Sequence, residues 1–439
     1  MRGRLTARFR QMRTLFDRRV QGSLFLLPLT VIVICAGAAV LVLILEKGAS
    51  EPGVPLLLAT TVSGGRVIVT AVAGATITVA AIVFSITALS TQMAANQYSP
   101  RALRGFFEDP FQQVVLGLVV GTFIYSLLVL GGLAAAADNA TDPARSVSVT
   151  LDIVLGVLSV IGIVAYLDHS LRRVQIDAVV QRIAGAALEA VRREHREIGN
   201  TKPSFEGTGT PHGEPLIVVA DRSGWILRIE ARALSAALPE NSMAKVGVRL
   251  GEAVSVGDRL VTIWPSPGED SRLARRVRRS IRAGKERSVA TNPAFGIRQL
   301  VDIALKALSP GVNDPTTAVD VIHHLKVPVR EILVSEPPTR VFGGPRGQRV
   351  ILAETPSRSD HVHAAFSEIR LASTGQPSVI RALIEVLGDL RTELEAAELT
   401  GRVDAVAEEL SLTIEAARHS RLPKEDIARV LRSVDEAGE

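Results

Sequence analysis

One aspartate, one row of small and hydroxyl side chains and two sets of arginines are the residues best suited to handling ions or protons. Asp152 lies in an otherwise uncharged apolar run, Val147 to Leu167. A carboxylate in such a segment costs about 2.5 to 3.5 kcal/mol on insertion scales, so intramembrane acids are functional candidates. Two readings fit: an acid near a helix N-terminus, where the dipole favours negative charge and water is close, or a cation site or outer selectivity element. Thr70, Gly74, Thr78, Ala81, Ser85, Ala88 and Gln92 recur at steps of three and four, which puts them on one helical face. That face suits close helix packing, as small and hydroxyl residues in a membrane helix most often do, or else the lining of a water-filled path. Gly117 and Gly121 form a G-x-x-x-G step, the pattern that lets membrane helices approach closely.

The first arginine set is Arg101 and Arg104, opposed by Leu103, Phe106 and Phe107 in a short amphipathic stretch. Ser99-Pro100 and Asp109-Pro110 each supply an N-cap followed by a first-turn proline. These arginines would touch lipid phosphates at a membrane surface, or attract anions at the inner mouth of a pore. The second set fills RLARRVRRSIRAGKER, Arg272 to Arg287, where Leu273, Val277 and Ile281 fall at i, i+4 and i+8. The spacing predicts one basic amphipathic helix. Arg275, Arg276, Arg278, Arg279 and Arg282 would bind anionic lipid headgroups, or pair as a solvated face with acidic C-terminal helices. Nucleic acid is not expected, because no aromatic side chains interleave.

Enzyme chemistry finds little support. Cys35 is the single cysteine, so an intramolecular disulfide and every cysteine-based zinc pattern are excluded. No phosphate-cradling glycine loop, nucleophile elbow or paired catalytic carboxylates occur. Asn313, Asp314, His323 and His324 cluster in sequence, yet adjacent histidines on a helix point about 100° apart, and no carboxylate cluster supports metal binding. His361 and His363 are likewise without companions. No catalytic residue, metal or cofactor is expected.

The elements that must position these residues follow from hydropathy. The chain has 439 residues, 47% of them apolar, with a mean hydropathy of +0.26, high for an ordinary soluble enzyme. Four apolar segments, 22–45, 67–91, 111–137 and 147–167, approach or exceed the roughly 20 residues that cross a bilayer. The first is too long for a signal-peptide core and is expected to stay as an anchor. Lys and Arg remain on the cytoplasmic side during insertion. Arg2, Arg4, Arg8, Arg10, Arg13, Arg18 and Arg19 precede the first span, and Arg172, Arg173 and Arg182 follow the fourth. A multi-pass protein of the cytoplasmic (inner) membrane with both termini cytoplasmic is therefore expected, its outer loops near Glu46 to Gly65 and Asp138 to Ser146.

The remainder reads as a cytoplasmic α+β region: a helix over 170–198, a Gly/Thr/Pro linker over 199–215, and a small barrel-like β unit over 216–268. The strands there are LIVVA, WILRI, VGVRL and RLVTIW, with a short helix from Ala231 to Leu238. A basic helix and a helix-turn-helix signature follow over 269–326, then a mixed and finally helical region over 327–439. Strands are expected around Pro328 to Val334 and Val350 to Ala353. In the signature, Ser309-Pro310-Gly311 stops one helix, Asp314 caps the next before Pro315, and Arg298 can pair with Asp302. Three C-terminal helices would provide a packing or assembly surface.

Two resemblances add to this. SGWILRI and VRLGEAVSVGDRLVTI resemble the half-barrel of biotinyl and lipoyl carrier domains, but Lys245 in SMAKV lacks the Met-Lys-Met setting and reads as an ordinary residue. STQMAANQYSPRALRGFFEDP, GTFIYSLL and FGIRQLVDIALKALSPGVNDPTTAVDVI together resemble the bacterial predicted-membrane-protein family known as domain of unknown function 2254. That resemblance implies the architecture and carries no activity. Sequence reasoning thus leaves an oligomeric ion channel or channel-like transporter as the first expectation and a membrane-anchored scaffold as the second. The expected partners are the lipid bilayer, further copies of the chain and anionic lipid headgroups.

Overall fold

The computed structural model describes residues 26–48, 61–97, 110–134, 146–173, 176–199, 213–266, 268, 271–289, 292–337, 340–420, 423, 425 and 427–428. It divides into two compact units, residues 1–175 and 176–439.

The first unit holds four helices: α1 (Leu26–Gly48), α2 (Val62–Gln97), α3 (Pro110–Ala134) and α4 (Ser146–Arg173). Each contains a stretch long and apolar enough to cross a membrane: Leu26–Glu46, Val62–Leu89, Pro110–Ala134 and Val147–Ser170. Two expected loop segments are helical instead: Glu46 lies within α1, and Val62 to Gly65 open α2. α3 is the central helix, packing on α1, α2 and α4. Its glycines explain the closeness of α1. A Cβ on Gly117 would lie 2.9 Å from the Pro28 Cα, and one on Gly121 would lie 2.8 Å from the Cys35 Sγ. Apolar layers fill the interior, one with Val69, Val129, Leu133 and Val149 and another with Ala80, Val83, Val115 and Val119. Val33, Ile34, Leu45, Phe84 and Val164 project outward, the inverse of a water-soluble bundle and the arrangement expected in lipid.

The second unit begins with α5 (Ile176–Gly199) and continues through β1 (Leu216–Val219), β2 (Gly224–Ile229), α6 (Ala231–Ala237), β3 (Met243–Val246), β4 (Ala253–Val254), β5 (Arg259–Trp264), α7 (Ser271–Ser280) and β6 (Ile281–Gly284). Then come α8 (Pro293–Ala307), α9 (Pro315–Val334), β7 (Val341–Gly343), β8 (Arg349–Ile351), α10 (Arg358–Ala372), α11 (Pro377–Ala396) and α12 (Asp404–Arg418). A five-stranded sheet has the order β1-β5-β3-β8-β7 and a three-stranded one the order β4-β2-β6. Their inner faces share one core with α6 and α7, centred on Val218, Ile226, Leu234, Val261, Leu273, Val277 and Val350.

Several expectations are corrected here. Two sheets stand where a barrel-like unit is expected over 216–268, and strands from outside that range complete them. β3 pairs in parallel with β8, and β2 pairs with β6, because each otherwise presents unpaired backbone groups on an open edge. The third strand is MAKV; VGVRL contributes only Val246. The basic helix stops at Ser280, and Ile281 enters a strand opposite Ile229. The i, i+8 spacing of Leu273 and Ile281 is satisfied because both reach the same core, Ile281 from the strand. Pro328 to Val334 is helical, with Leu325, Pro328, Val329 and Leu333 buried at helical spacing; Pro328 is tolerated inside α9.

Local chemistry accounts for the helix starts in the signature. Asn292 accepts from Phe295 N at 3.3 Å with Pro293 at the first helical position. Asp314 accepts from Thr317 N at 3.1 Å and from the Thr317 hydroxyl at 2.6 Å, with Pro315 following. Ser357 and Asp360 form a reciprocal capping box on α10.

Candidate functional site

The membrane unit encloses a row of polar side chains along the seam between α3 and α4. Ser148, Asp152, Ser159 and Tyr166 recur at steps of four, seven and seven on α4, so they share one helical face, and all four are buried. α3 answers with Thr122, Tyr125 and Ser126, each fully buried. The Tyr125 hydroxyl donates to Ser148 O at 3.2 Å, and the Ser126 hydroxyl lies 2.6 Å from Asp152 Oδ1. Thr122 Oγ1 and Ser159 Oγ are 3.0 Å apart. Further along, the Thr87 hydroxyl of α2 meets the Tyr166 hydroxyl at 2.6 Å, and Gln112 Nε2 donates to Thr87 at 3.3 Å. At the opposite end Glu46 of α1 accepts from the Ser148 backbone N–H at 2.8 Å.

Asp152 is 0% exposed. It lies two turns into α4, on the side of the helix that meets α3 inside the bundle. Its Oδ2 has no hydrogen-bond partner among the described residues. The contacts of Asp152, Thr122, Ser126 and Ser159 carry a signal that spacing alone contained: two hydroxyls at i, i+4 on α3, and hydroxyls at helical spacing around an acid on α4. Sequence reasoning picks out the acid and passes over its hydroxyl neighbours.

The other candidates fall elsewhere. Thr70, Gly74, Thr78, Ala81, Ser85, Ala88 and Gln92 share a face of α2 as expected, and every one is exposed. The bundle is sealed by the opposite side of α2, through Val69, Ala73, Thr76, Ala80 and Val83. Thr78 and Ser85 donate to their own helix, to Gly74 O at 2.8 Å and Ala81 O at 2.9 Å. A Cβ added to Gly74 would meet nothing within 4 Å, so its small size serves no contact among the described residues. Arg101 and Arg104 lie outside the described residues. Arg66 lies in α2 and donates to Leu133 O at 3.0 Å.

In the second unit, Arg275, Arg276, Arg279 and Arg282 are exposed, and Arg278 is half-buried with its Nε donating to Val219 O at 2.8 Å. Lys245 is exposed in the middle of β3, opposite Thr262, rather than in a tight turn. Arg298 pairs with Asp302 at 2.8 Å and also with Glu368 of α10. Asn313 adopts φ +48° and accepts from Gln376 Nε2 at 2.9 Å; the left-handed conformation suits Asn at a helix stop. His324 contacts Asp320 O at 2.8 Å, and His363 lies 3.5 Å from Glu409. These are structural contacts, and no group of three or more metal-capable side chains occurs among the described residues.

Comparison with known proteins agrees with the membrane architecture. The uncharacterized proteins Rv1290c and MT1328 of Mycobacterium tuberculosis and Mb1321c of Mycobacterium bovis are each 29% identical over 430 residues, spanning 96% of this chain and 81% of the relative. No solved structure matches. A family model described as predicted membrane protein (DUF2254) matches residues 21–389, a stretch that takes in all four apolar helices and most of the second unit. The chain belongs to that family of membrane proteins of unknown function.

Proposed function

We propose that the protein is an oligomeric channel or channel-like transporter whose conduction path is lined by α2. The observation that supports this is the outward small-polar face of α2, Thr70 to Gln92, which plays no part in sealing its own bundle. Four helices cannot enclose a wide water path, so a pore requires several copies, and the face left open on one copy is the one that small and hydroxyl residues fit best against water or another helix. On this reading both termini and the second unit are cytoplasmic, by the excess of arginine at the first span's start and the fourth span's end, the second unit serves assembly and regulation, and the protein is not an enzyme. Arg275, Arg276, Arg279 and Arg282 would meet anionic headgroups.

A second reading, a membrane-anchored scaffold without transport, draws on the self-bonded hydroxyls of Thr78 and Ser85, since a hydroxyl that donates to its own helix can face lipid without an unmet proton. Single-channel recording of the purified protein in planar bilayers separates the two, with Ser85→Leu and Thr78→Ser alongside. The channel reading expects discrete currents altered or abolished by Ser85→Leu and retained by Thr78→Ser. Silence from folded, oligomeric wild-type protein favours the scaffold.

A further inference from the structure

The hydroxyl of Ser126 has more acceptors than protons. It lies 2.9 Å from Thr122 O and 2.6 Å from Asp152 Oδ1, and one O–H can serve only one of them well. If the carboxyl is ionised, Ser126 donates to Oδ1 and gives up Thr122 O, while Oδ2 is left buried and without a donor among the described residues. If the carboxyl carries a proton on Oδ1, that proton is donated to Ser126 Oγ, and Ser126 in turn donates to Thr122 O. The second arrangement satisfies both short contacts at once. It also avoids an uncompensated charge in an interior where isolated carboxylates are costly.

The surroundings favour a proton over a metal ion. Among the described residues Asp152 is joined by one hydroxyl, that of Ser126, far short of the six to eight oxygens a calcium ion takes or the octahedral set of magnesium, and no metal-capable cluster occurs among them. Among side chains the structure describes, the charged and titratable groups on the elements packed around the acid are Glu46 and Cys35 on α1, Arg66 on α2 and Tyr125 on α3, and α4 itself carries Tyr166, Asp168 and His169 toward its far end. Tyr125 is engaged with the α4 carbonyl of Ser148. Arg66 is engaged with the α3 carbonyl of Leu133, and Glu46 with the Ser148 amide. From Ser148 to Tyr166 the polar face of α4 rises about 27 Å at about 1.5 Å per residue, close to the roughly 30 Å of a hydrocarbon core.

We infer that Asp152 is a reversible proton-binding site within the membrane unit, in which loading and release of one proton reset the Ser126 hydroxyl between the Thr122 carbonyl and the Asp152 carboxylate. The proton comes from and returns to water. On release the Asp152 O–H bond breaks, the electron pair stays on the carboxylate, and Ser126 turns to donate to it. Thr122 O then loses its second donor, so the α3–α4 seam differs between the two states. A proton can therefore bias the packing of the central helix. This inference is independent of whether α2 lines a pore, which current recordings decide separately.

The test is infrared difference spectroscopy of the full-length protein in liposomes, titrated from acidic to alkaline pH, with Asp152→Asn and Ser126→Ala beside the wild type. The wild type is expected to show the C=O stretch of a protonated carboxylic acid that is lost on alkaline titration and restored on return. Asp152→Asn should lack that component, and Ser126→Ala should retain it with a shifted midpoint and frequency. Thermal melts establish that each variant is folded. If Asp152→Asn does not fold, the Ser126→Ala shift carries the test, and an unchanged midpoint and frequency there overturn the inference. It is also overturned if the wild-type and Asp152→Asn titrations superpose, or if the band persists through the alkaline limit, which would make Asp152 a permanently neutral packing residue.

Discussion

Glu409 is a deeply buried charge partner in the second unit. Its side chain is 4% exposed, Arg370 donates to it at 2.7 Å from a site 13% exposed, and the exposed ring of His363 stands 3.5 Å away. Removing one member of a buried pair leaves the other charge without compensation, which costs more than the pair itself contributes. Arg370→Ala is expected to destabilise the second unit by about 3 kcal/mol, read as a fall in the urea midpoint with an unchanged slope. His361 supplies a pH dependence. Burial lowers its pKa, partly opposed by the adjacent Asp360. With the folded value below the unfolded one, the unfolded chain binds the proton more readily, so stability rises with pH from the folded value up to the unfolded value of about 6.5. Denaturant midpoints at about pH 5 and about pH 7 should differ, and His361→Gln should narrow the difference.

The helix-turn-helix signature shows how much an element owes to its first residue. α8 and α9 both begin with a capping side chain and a proline, and α9 receives two bonds from its cap, Thr317 N and the Thr317 hydroxyl, on the carboxylate of Asp314. Asp314→Ala is expected to cost about 1 kcal/mol, measured by chemical denaturation, whereas Asp314→Asn should retain most of it. The cap of α9 is legible in SPGVNDPTT because cap geometry depends on four consecutive residues, whereas Asn292 before Pro293 offers the same device at α8 and is passed over in the sequence. The end of α7 is not legible. Arg272 to Arg287 keeps a helical apolar spacing past Ser280, but Ile281 finds a strand partner in Ile229 of β2, far back along the chain. Pro328 misleads in the opposite sense: a proline inside an apolar run suggests a strand edge, yet the neighbouring turns of α9 are packed well enough on α11 and α5 to tolerate the lost bond.

The two units bury separate cores. The second has a sheet core and a helical layer with Leu300, Val321, Leu325, Val362, Phe366, Leu383 and Leu387 all fully buried, enough for a domain to fold independently. Residues 176–428 expressed alone should be monodisperse and unfold in a cooperative transition by circular dichroism; aggregation without such a transition would show that the membrane unit is required. The first unit, by contrast, exposes Val33, Leu41, Leu45, Phe84 and Val164 and needs a bilayer or detergent.

The sequence by itself determined the four apolar helices, the stop and the Asp314 cap of the signature, the pairing of Arg298 with Asp302 and most strands of the β unit. Each depends on composition or on neighbours within a turn or two. Only the tertiary structure decided that Asp152 is fully buried beside Ser126, that the small-polar face of α2 points away from its own bundle, and that β8 and β6 complete the two sheets. A period of 3.6 or 2 says which residues share a face. Which way that face turns is set by partners far along the chain, through close approaches such as Gly121 on Cys35 and through strand edges that must find a neighbour.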